Sequence, residues 1–212
     1  MITIAISKGR MQDEAIELLR KAGVQLNSDS LASRKLAHTD ENGDYRFIFV
    51  KPADVPVYVE HGIADCGIVG RDVLLESEAD VLLPLDLGIA HCRIVVAATD
   101  PKVMVKTFGM LRVATKYSRI ASGYFGKRGI PVEIISLSGS VELAPALGLA
   151  DVIVDLVETG RTLKENGLSV LEVIDQSSGR LVINRASYQL KSDEISRLTD
   201  ALSRVVEGAS GE

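Results

Sequence analysis

An α/β protein with parallel or mixed sheets follows from two features of this 212-residue chain. Short β-rich apolar runs alternate with stretches whose apolar residues recur at helical spacing. One hairpin signal near the start makes the alternation mixed instead of purely β–α–β. That pattern favours α/β architecture over a sandwich or a helical bundle.

The run Thr3–Ile6 is the first strand. In Asp13–Gly23, the residues Ala15, Ile16, Leu18, Leu19 and Ala22 fall at helical spacing, and Gly23 supplies the stop. Lys35–Val50 reads as a hairpin, because Glu41-Asn42-Gly43-Asp44 is a turn signal between a polar strand and the apolar run Phe47-Ile48-Phe49-Val50. Pro52 fits the first turn of a helix running to about His61, with Gly62 behind it, and the strand Asp65–Val69 follows. Strands of buried type are predicted at Val81–Leu87, Arg93–Ala98, Arg112–Ala114, Val132–Leu137, Val152–Val157, Ser169–Ile174 and Arg180–Ile183. Helices are predicted at Tyr117–Lys127, Val141–Leu147 and Thr162–Asn166. A last amphipathic helix, Asp193–Val206, gives way to a polar, fraying tail, Glu207–Glu212. No repeat or low-complexity linker marks a domain boundary.

Composition narrows the function classes. With 46% hydrophobic and 25% charged residues, the chain is neither disordered, collagen-like nor a coiled coil. Its 24 Lys and Arg against 29 Asp and Glu leave a net charge of −5. Sequence-independent nucleic-acid binding needs a basic face, and the pairs Arg34-Lys35 and Lys127-Arg128 are too small to make one. Any phosphate this protein meets is therefore on a small molecule. Cys66 and Cys92 have neither disulfide-framework nor zinc-site spacing, which fits a reduced cytoplasmic protein. Met1–Lys8 lacks a basic n-region and an apolar run of signal-peptide length. Val81–Leu85 and Ile94–Ala98 are strand-sized, far below the roughly 18 residues of a membrane span, so no membrane role is expected.

Four clusters hold residues suited to chemistry. In Val152–Leu163 a buried strand runs into a turn with Glu158, Thr159, Gly160, Arg161 and Thr162, then opens a helix. Backbone N–H groups, hydroxyls and the helix start converge there as a phosphate monoester requires. Asp155 and Glu158 beside that turn suit ribose hydroxyls or a Mg²⁺ carried by the ligand. A plain strand-turn-helix with a Thr cap is the alternative. In Ser138-Gly139-Ser140-Val141-Glu142, Ser140 is placed to cap the following helix, and Ser138 and Gly139 leave the backbone open to a polar ligand. Gly67–Val73 carries Gly70, Arg71 and Asp72 at a strand end, with a surface ion pair as the alternative. Ser7-Lys8-Gly9-Arg10 places two cations beside glycine, suited to a pyrophosphate or triphosphate, with solvated loop charges as the alternative. Each cluster starts at the C-terminal end of a predicted strand, where open α/β sheets bind ligands.

The sequence has no GxGxxG, GxxxxGK[ST], HExxH or GxSxG. His38, His61 and His91 are scattered and read as surface or helix-end residues, and both cysteines as inert buried thiols. No nucleophile-and-base pair stands out.

Taken together the clusters resemble the ATP phosphoribosyltransferase family. The resemblance is carried by Ile4–Arg10, Asp65–Asp72, Arg112–Tyr117, Ser138–Pro145 and Asp151–Gly167, with Asp155–Gly167 the most specific block. It implies two α/β lobes like those of a type II periplasmic binding protein, with the active site in the cleft. Lobe I would comprise residues 1–90 plus 178–212, and lobe II residues 91–177. It further implies the short form, which lacks a C-terminal histidine-binding domain and works with a separate regulatory subunit similar to histidyl-tRNA synthetase, as a homodimer within a hetero-oligomer. The implied reaction, Mg²⁺-dependent, joins N1 of ATP to C1 of phosphoribosyl pyrophosphate and releases pyrophosphate. Asp155, Glu158, Thr159, Gly160, Arg161 and Thr162 are then candidates for phosphoribosyl pyrophosphate. Lys8, Gly9, Arg10, Lys51, Gly70, Arg71, Asp72, Ser140 and Glu142 are candidates for ATP or pyrophosphate. No acid or base is assigned. One departure stands out: nucleobase salvage enzymes have adjacent acidic residues before their Thr-Gly, whereas Leu156-Val157 separates Asp155 from Glu158. A salvage phosphoribosyltransferase acting on a free base, and a two-lobed binding protein without catalysis, are the competing readings.

Overall fold

The computed structural model describes residues 1–24, 26, 37–40, 42–106 and 109–209, with 105, 106 and 209 described in backbone only. The pair Arg34-Lys35, the start of the predicted hairpin at Lys35, its turn residue Glu41 and the tail from Ser210 lie outside the described residues. The chain divides into two compact units, Met1–Ala90 with Ser178–Glu212, and His91–Ser177.

The first unit is built on β1 (Ile2–Ser7), β2 (Ala37–Thr39), β3 (Tyr45–Val50), β4 (Cys66–Gly70), β5 (Leu82–Asp86) and β11 (Gly179–Ile183), in the order β2-β3-β1-β4-β11-β5. β1 runs parallel to β3 and β4, β2 pairs antiparallel with β3, and β11 is antiparallel to β4 and β5. Alternation along β1 sends Ile2, Ile4 and Ile6 to one face and Ala5 to the other. Ala15, Leu18 and Leu19 of α1 (Gln12–Lys21) and Ile195, Leu198 and Leu202 of the last helix, Ser192–Ala209, cover the isoleucine face. Val55 and Val59 of α2 (Val55–Glu60) and Leu74 of α3 (Arg71–Ser77) cover the other. Gly67 lets α2 lie close: a Cβ there would come within 2.8 Å of Val55 Cγ1.

The second unit carries β6 (Cys92–Ala98), β7 (Leu111–Thr115), β8 (Val132–Ser136), β9 (Val152–Val157) and β10 (Ser169–Ser177), in the order β10-β6-β9-β7-β8. β7 is parallel to both β8 and β9, and β6 is antiparallel to β9 and β10. Its helices are α4 (Val103–Lys106), α5 (Ser118–Lys127), α6 (Leu143–Ala146) and α7 (Arg161–Glu165). Ala121 and Phe125 of α5 pack on one face of the sheet, and Ala144 and Leu163 pack on the other. The first unit ends with α8 (Arg185–Leu190) and α9, the Ser192–Ala209 helix.

Several expectations need correction. Three strands predicted as buried, β5, β8 and β10, are edge strands, because each pairs with one neighbour only; Leu83 of β5 is 58% exposed. The helix expected from Pro52 begins as a 3-10 turn, Pro52–Asp54, before α2. Helices α3, α4 and α8 were not predicted: they are short, and their packing rather than their periodicity holds them. His38 is not on the surface but 9% exposed in β2, with its ring edge-on to Phe49 at 5.8 Å. Among the described residues, no helix is long and apolar enough to cross a membrane.

A buried ionic knot closes the first unit at the end where β1 begins. The Lys191 ammonium donates to both Asp65 oxygens at 2.8 Å, the Ser187 hydroxyl donates at 2.7 Å and the Thr3 N–H at 2.8 Å. Burial alone would raise the Asp65 pKa, but these donors outweigh it and hold the carboxyl below its ordinary 3.8. A lowered folded-state value gives stability that is present above the unfolded value and lost as pH falls through the folded one. Asp65→Asn, which leaves the Lys191 ammonium without its counter-ion, is expected to cost about 2 kcal/mol at neutral pH, less than a fully buried pair because Lys191 is partly solvated. In denaturant titrations the gap to wild type should narrow as pH falls below 3.8. A gap that stays constant across that range would refute the assignment.

Candidate active site

Parallel pairing brings the first unit's candidates to one sheet edge. β1, β3 and β4 are adjacent and point the same way, so Lys8–Arg10, Lys51 and Gly70–Asp72 all follow C-terminal strand ends. Ser7 pairs with Val50 and the Lys8 N–H donates to the Val50 carbonyl at 2.8 Å, which sets Lys8 beside Lys51 in register. Ile6 pairs with Ile68, which sets Lys8 beside Gly70 on its other side. Lys8, Arg10 and Lys51 are exposed. Gly9 turns the chain at φ +102, and its carbonyl accepts the N–H of Gln12 as α1 begins. Asp72 is 6% exposed in the first turn of α3, and one carboxylate oxygen fills the space a Gly70 Cβ would take. A side chain at position 70 would therefore have to displace the Asp72 carboxylate, and an acidic side chain suits the start of a helix.

The second unit repeats the arrangement. β8, β7 and β9 are adjacent and parallel, so the Ser138–Glu142 loop and the Glu158–Thr162 loop leave the same edge, one strand apart. Asp155 lies within β9, and its Oδ1 accepts the N–H of Leu156 at 2.8 Å. Glu158, Thr159, Arg161 and Thr162 are exposed. Gly160 stands at φ +80 at the head of α7, and Thr159 Oγ1 accepts the Arg161 N–H at 3.4 Å. Gly160, not a threonine, occupies the cap position of α7. Leu163, 5% exposed, anchors the far side of the loop in the core. Ser140 does not cap α6 as expected: it sits at φ +50, and Glu142 occupies the cap position without a side-chain bond.

The family model for HisG, ATP phosphoribosyltransferase, matches residues 51–204. An ATP phosphoribosyltransferase of Halalkalibacterium halodurans is 50% identical over 208 residues, 98% of this chain and 98% of its own. That of Geobacillus kaustophilus is 52% identical over 206 residues, 97% of this chain and 99% of its own. The chain belongs to the ATP phosphoribosyltransferase family. The ATP phosphoribosyl transferase (HisG:HisZ) complex from Thermotoga maritima superposes with a TM-score of 0.86 at 36% identity, covering 98% of this chain and 100% of that one. The periplasmic VFT2 domain of Bordetella pertussis BvgS superposes with a TM-score of 0.58 at 14% identity, over 97% of this chain and 92% of that one, and bears on the fold alone. The fold is thus the two-lobed α/β fold of type II periplasmic binding proteins.

An ATP phosphoribosyltransferase carries out the first step of histidine biosynthesis, joining ATP through N1 to C1 of phosphoribosyl pyrophosphate. Family membership sets aside both competing readings, salvage of a free base and binding without catalysis. The match runs almost end to end in both curated relatives, which fits the short form. One cation that sequence reasoning did not single out shares the second unit's edge: Lys116 follows β7 between the two loops, its ammonium 4.9 Å from the Tyr117 ring centroid. The signal was its place after a central parallel strand. Thr115, fully buried, fixes that turn by donating to the Val154 carbonyl at 2.7 Å and accepting the Tyr117 N–H at 2.8 Å.

At Gly160 the constraint is backbone and not space, since a Cβ would meet Val157 Cγ1 at an ordinary 3.7 Å. Gly160→Ala should therefore lower stability by about 1 kcal/mol through the left-handed φ. Gly139→Ala, with open space and no positive φ, should change it by less than about 0.5 kcal/mol. Equal losses in the two variants, measured by thermal melting, would show that the loop does not need its left-handed turn.

Proposed function

We propose that the Glu158–Thr162 loop holds the 5-phosphate of phosphoribosyl pyrophosphate, with Asp155 and Glu158 on the ribose hydroxyls or on Mg²⁺. The observation that carries this reading is the Gly160 turn, whose left-handed φ presents backbone, two Thr hydroxyls and Arg161 at the end of a buried strand. Lys8, Gly9, Arg10, Lys51, Gly70 and Arg71 serve the phosphates of ATP or pyrophosphate. Buried Asp72 shapes their turn on the nucleotide side, and Ser140 and Glu142 are further candidates for ATP or pyrophosphate.

As the bond from C1 to pyrophosphate breaks, positive charge grows on the ribosyl carbon and negative charge on the departing oxygen. Adenine N1 attacks that carbon with its own lone pair and carries no proton to be removed. The residues therefore have to place two reactants and stabilise a leaving group. Positioning of this kind can be worth about 7–11 kcal/mol. Cations at the leaving group act where charge develops, which lowers the barrier and not merely the substrate's free energy. A catalytic dyad has no task in this chemistry.

Mg²⁺ fits the donors present. Among the described residues no three His, Cys, Asp or Glu side chains converge on a metal position, and Asp155 and Glu158 offer hard oxygens of the kind that complete a shell mostly supplied by phosphates. Bound with the diphosphate, the ion would neutralise charge on the leaving group. A HisZ-type regulatory subunit is the proposed partner, supported by the likeness to the Thermotoga maritima complex. The sequence resemblance implies that this subunit is similar to histidyl-tRNA synthetase and that the chain is a homodimer within the hetero-oligomer. Two free, buried thiols, Cys66 and Cys92, suit a reducing cytoplasm.

The test is absorbance at roughly 290 nm, on the red side of adenine absorption, with ATP, phosphoribosyl pyrophosphate, Mg²⁺ and a pyrophosphatase. A rise that needs both substrates is expected, with histidine inhibiting only when the regulatory subunit is present. Turnover of a free base in place of ATP would overturn the reading. In the same assay, Thr159→Val should raise the KM for phosphoribosyl pyrophosphate about three- to tenfold, the loss of one hydrogen bond. An unchanged KM in a folded Thr159→Val protein would reject the loop assignment.

A further inference from the structure

We infer that Glu14 is a positioning residue that acts through the backbone on either side of the Ala90 Cα to aim Arg10 at a substrate phosphate. The inference rests on the proposed placement of Arg10 among the phosphate ligands. Arg10 Nη2 donates to the Ala90 carbonyl at 3.2 Å. The N–H of the same residue donates to Glu14 Oε2 at 2.9 Å. One residue is thus gripped at both of its backbone polar groups by two side chains from the start of α1, four positions apart. Ala90 is 8% exposed and stands at φ +51, a conformation that a residue with a Cβ avoids unless its surroundings impose it. No strand ladder claims either group: β5 ends at Asp86 and β6 begins at Cys92.

The chemistry of a guanidinium explains the need. Its five N–H donors lie in one plane, so a bond from Nη2 to a fixed carbonyl helps to set the plane of the whole group. That carbonyl, in the Ala90–His91 peptide, can do this only if the backbone at Ala90 is held. Glu14 holds it from the preceding peptide, Ile89–Ala90, accepting its N–H with a charged oxygen, the stronger kind of acceptor. Arg10 follows the end of β1, the central strand of the three whose ends carry Lys8, Lys51 and Gly70, so its aim bears on the same edge. Glu14 itself is exposed and lies one helical turn further along, outside the predicted site set.

The experiment is a steady-state assay of the full chain with its regulatory subunit, varying ATP and phosphoribosyl pyrophosphate in turn. Arg10→Ala identifies the substrate whose KM depends on the guanidinium. Glu14→Ala should raise that same KM about three- to tenfold, with kcat changed less than about twofold. Glu14→Gln, which keeps an oxygen acceptor, should restore most of the difference. In the Arg10→Ala background, Glu14→Ala should have no further effect, because its influence passes through Arg10. A Glu14→Ala protein with unchanged KM, while Arg10→Ala is impaired, overturns the inference and leaves the Arg10 placement standing. Effects that add in full overturn it too, since they belong to a structural role independent of Arg10. Unchanged KM values in Arg10→Ala would overturn the placement of Arg10 itself, and the role of Glu14 with it.

Discussion

Parallel pairing of three adjacent strands is the constraint from which the rest of the molecule follows. A parallel neighbour can be reached only by a crossover, so each strand of such a trio releases its chain at the same edge of the sheet. In the first unit the trio is β3-β1-β4 and in the second it is β8-β7-β9. Residues far apart in sequence, Lys8, Lys51 and Arg71 in one unit and Glu142 and Glu158 in the other, are thereby gathered without any single long motif. The central strand of each trio must be apolar on both faces, which β1 satisfies with isoleucines on one side and Ala5 on the other. The opposite end of the first sheet carries the Asp65–Lys191 ion pair. The fastening and the candidate residues thus lie at different ends of the same strands.

What the sequence revealed and concealed divides along the same line. Central strands were legible because burial on two faces writes a nearly continuous apolar run, as in Val152–Val157, interrupted by Asp155 alone. Edge strands misled for a related reason: β10 and β8 are apolar enough to read as interior, yet only pairing partners decide who lies in the middle. The helix from Arg71 to Ser77 was invisible because seven residues give too little periodicity, and its start is set by the Ser178 carbonyl accepting the Arg71 N–H at 3.0 Å. A partner more than a hundred positions away leaves no local mark. The Gly160 turn was legible as a turn, since Thr-Gly-Arg-Thr after a buried strand ends the strand and opens a helix, and Gly160 takes the left-handed φ of +80 at that point. Glu14 was not, because its task is set by the conformation of Ala90, which nothing in the neighbouring sequence announces.

Transfer of a ribosyl group makes modest demands on proton chemistry and strict ones on placement. The chain is built accordingly. Cys66 is the thiol most perturbed by burial, which pushes its pKa up and leaves it protonated and inert. The residues that matter for a leaving pyrophosphate are long cations, and long cations are the side chains that lose most freedom when fixed. Holding them to within a fraction of an ångström needs support from neighbours that do not touch substrate. Thr115 fixes the backbone of the β7 turn through the Val154 carbonyl and the Tyr117 N–H, and the Asp72 carboxylate fills the space beside Gly70 at the start of α3.

The places where the backbone leaves and re-enters the first unit obey the same logic. The chain departs at Ala90 and returns at Ser178. These two stretches are hydrogen-bonded to each other, the Gly179 N–H donating to the Ile89 carbonyl at 2.9 Å and the Leu87 N–H to the Gly179 carbonyl at 2.9 Å. Gly179 permits the approach, since a Cβ there would lie 2.7 Å from Ile89 Cγ1. On the returning side, Asp86 accepts from the Ser178 hydroxyl at 2.8 Å and pairs with Arg180 at 2.7 Å. The Arg180 guanidinium makes that pair through Nη2. The departing side is held by Arg10 and Glu14. The Ala90 carbonyl accepts from Arg10 and the Ala90 N–H donates to Glu14, so both stretches that join the first unit to the rest of the chain are fastened by side chains as well as by backbone.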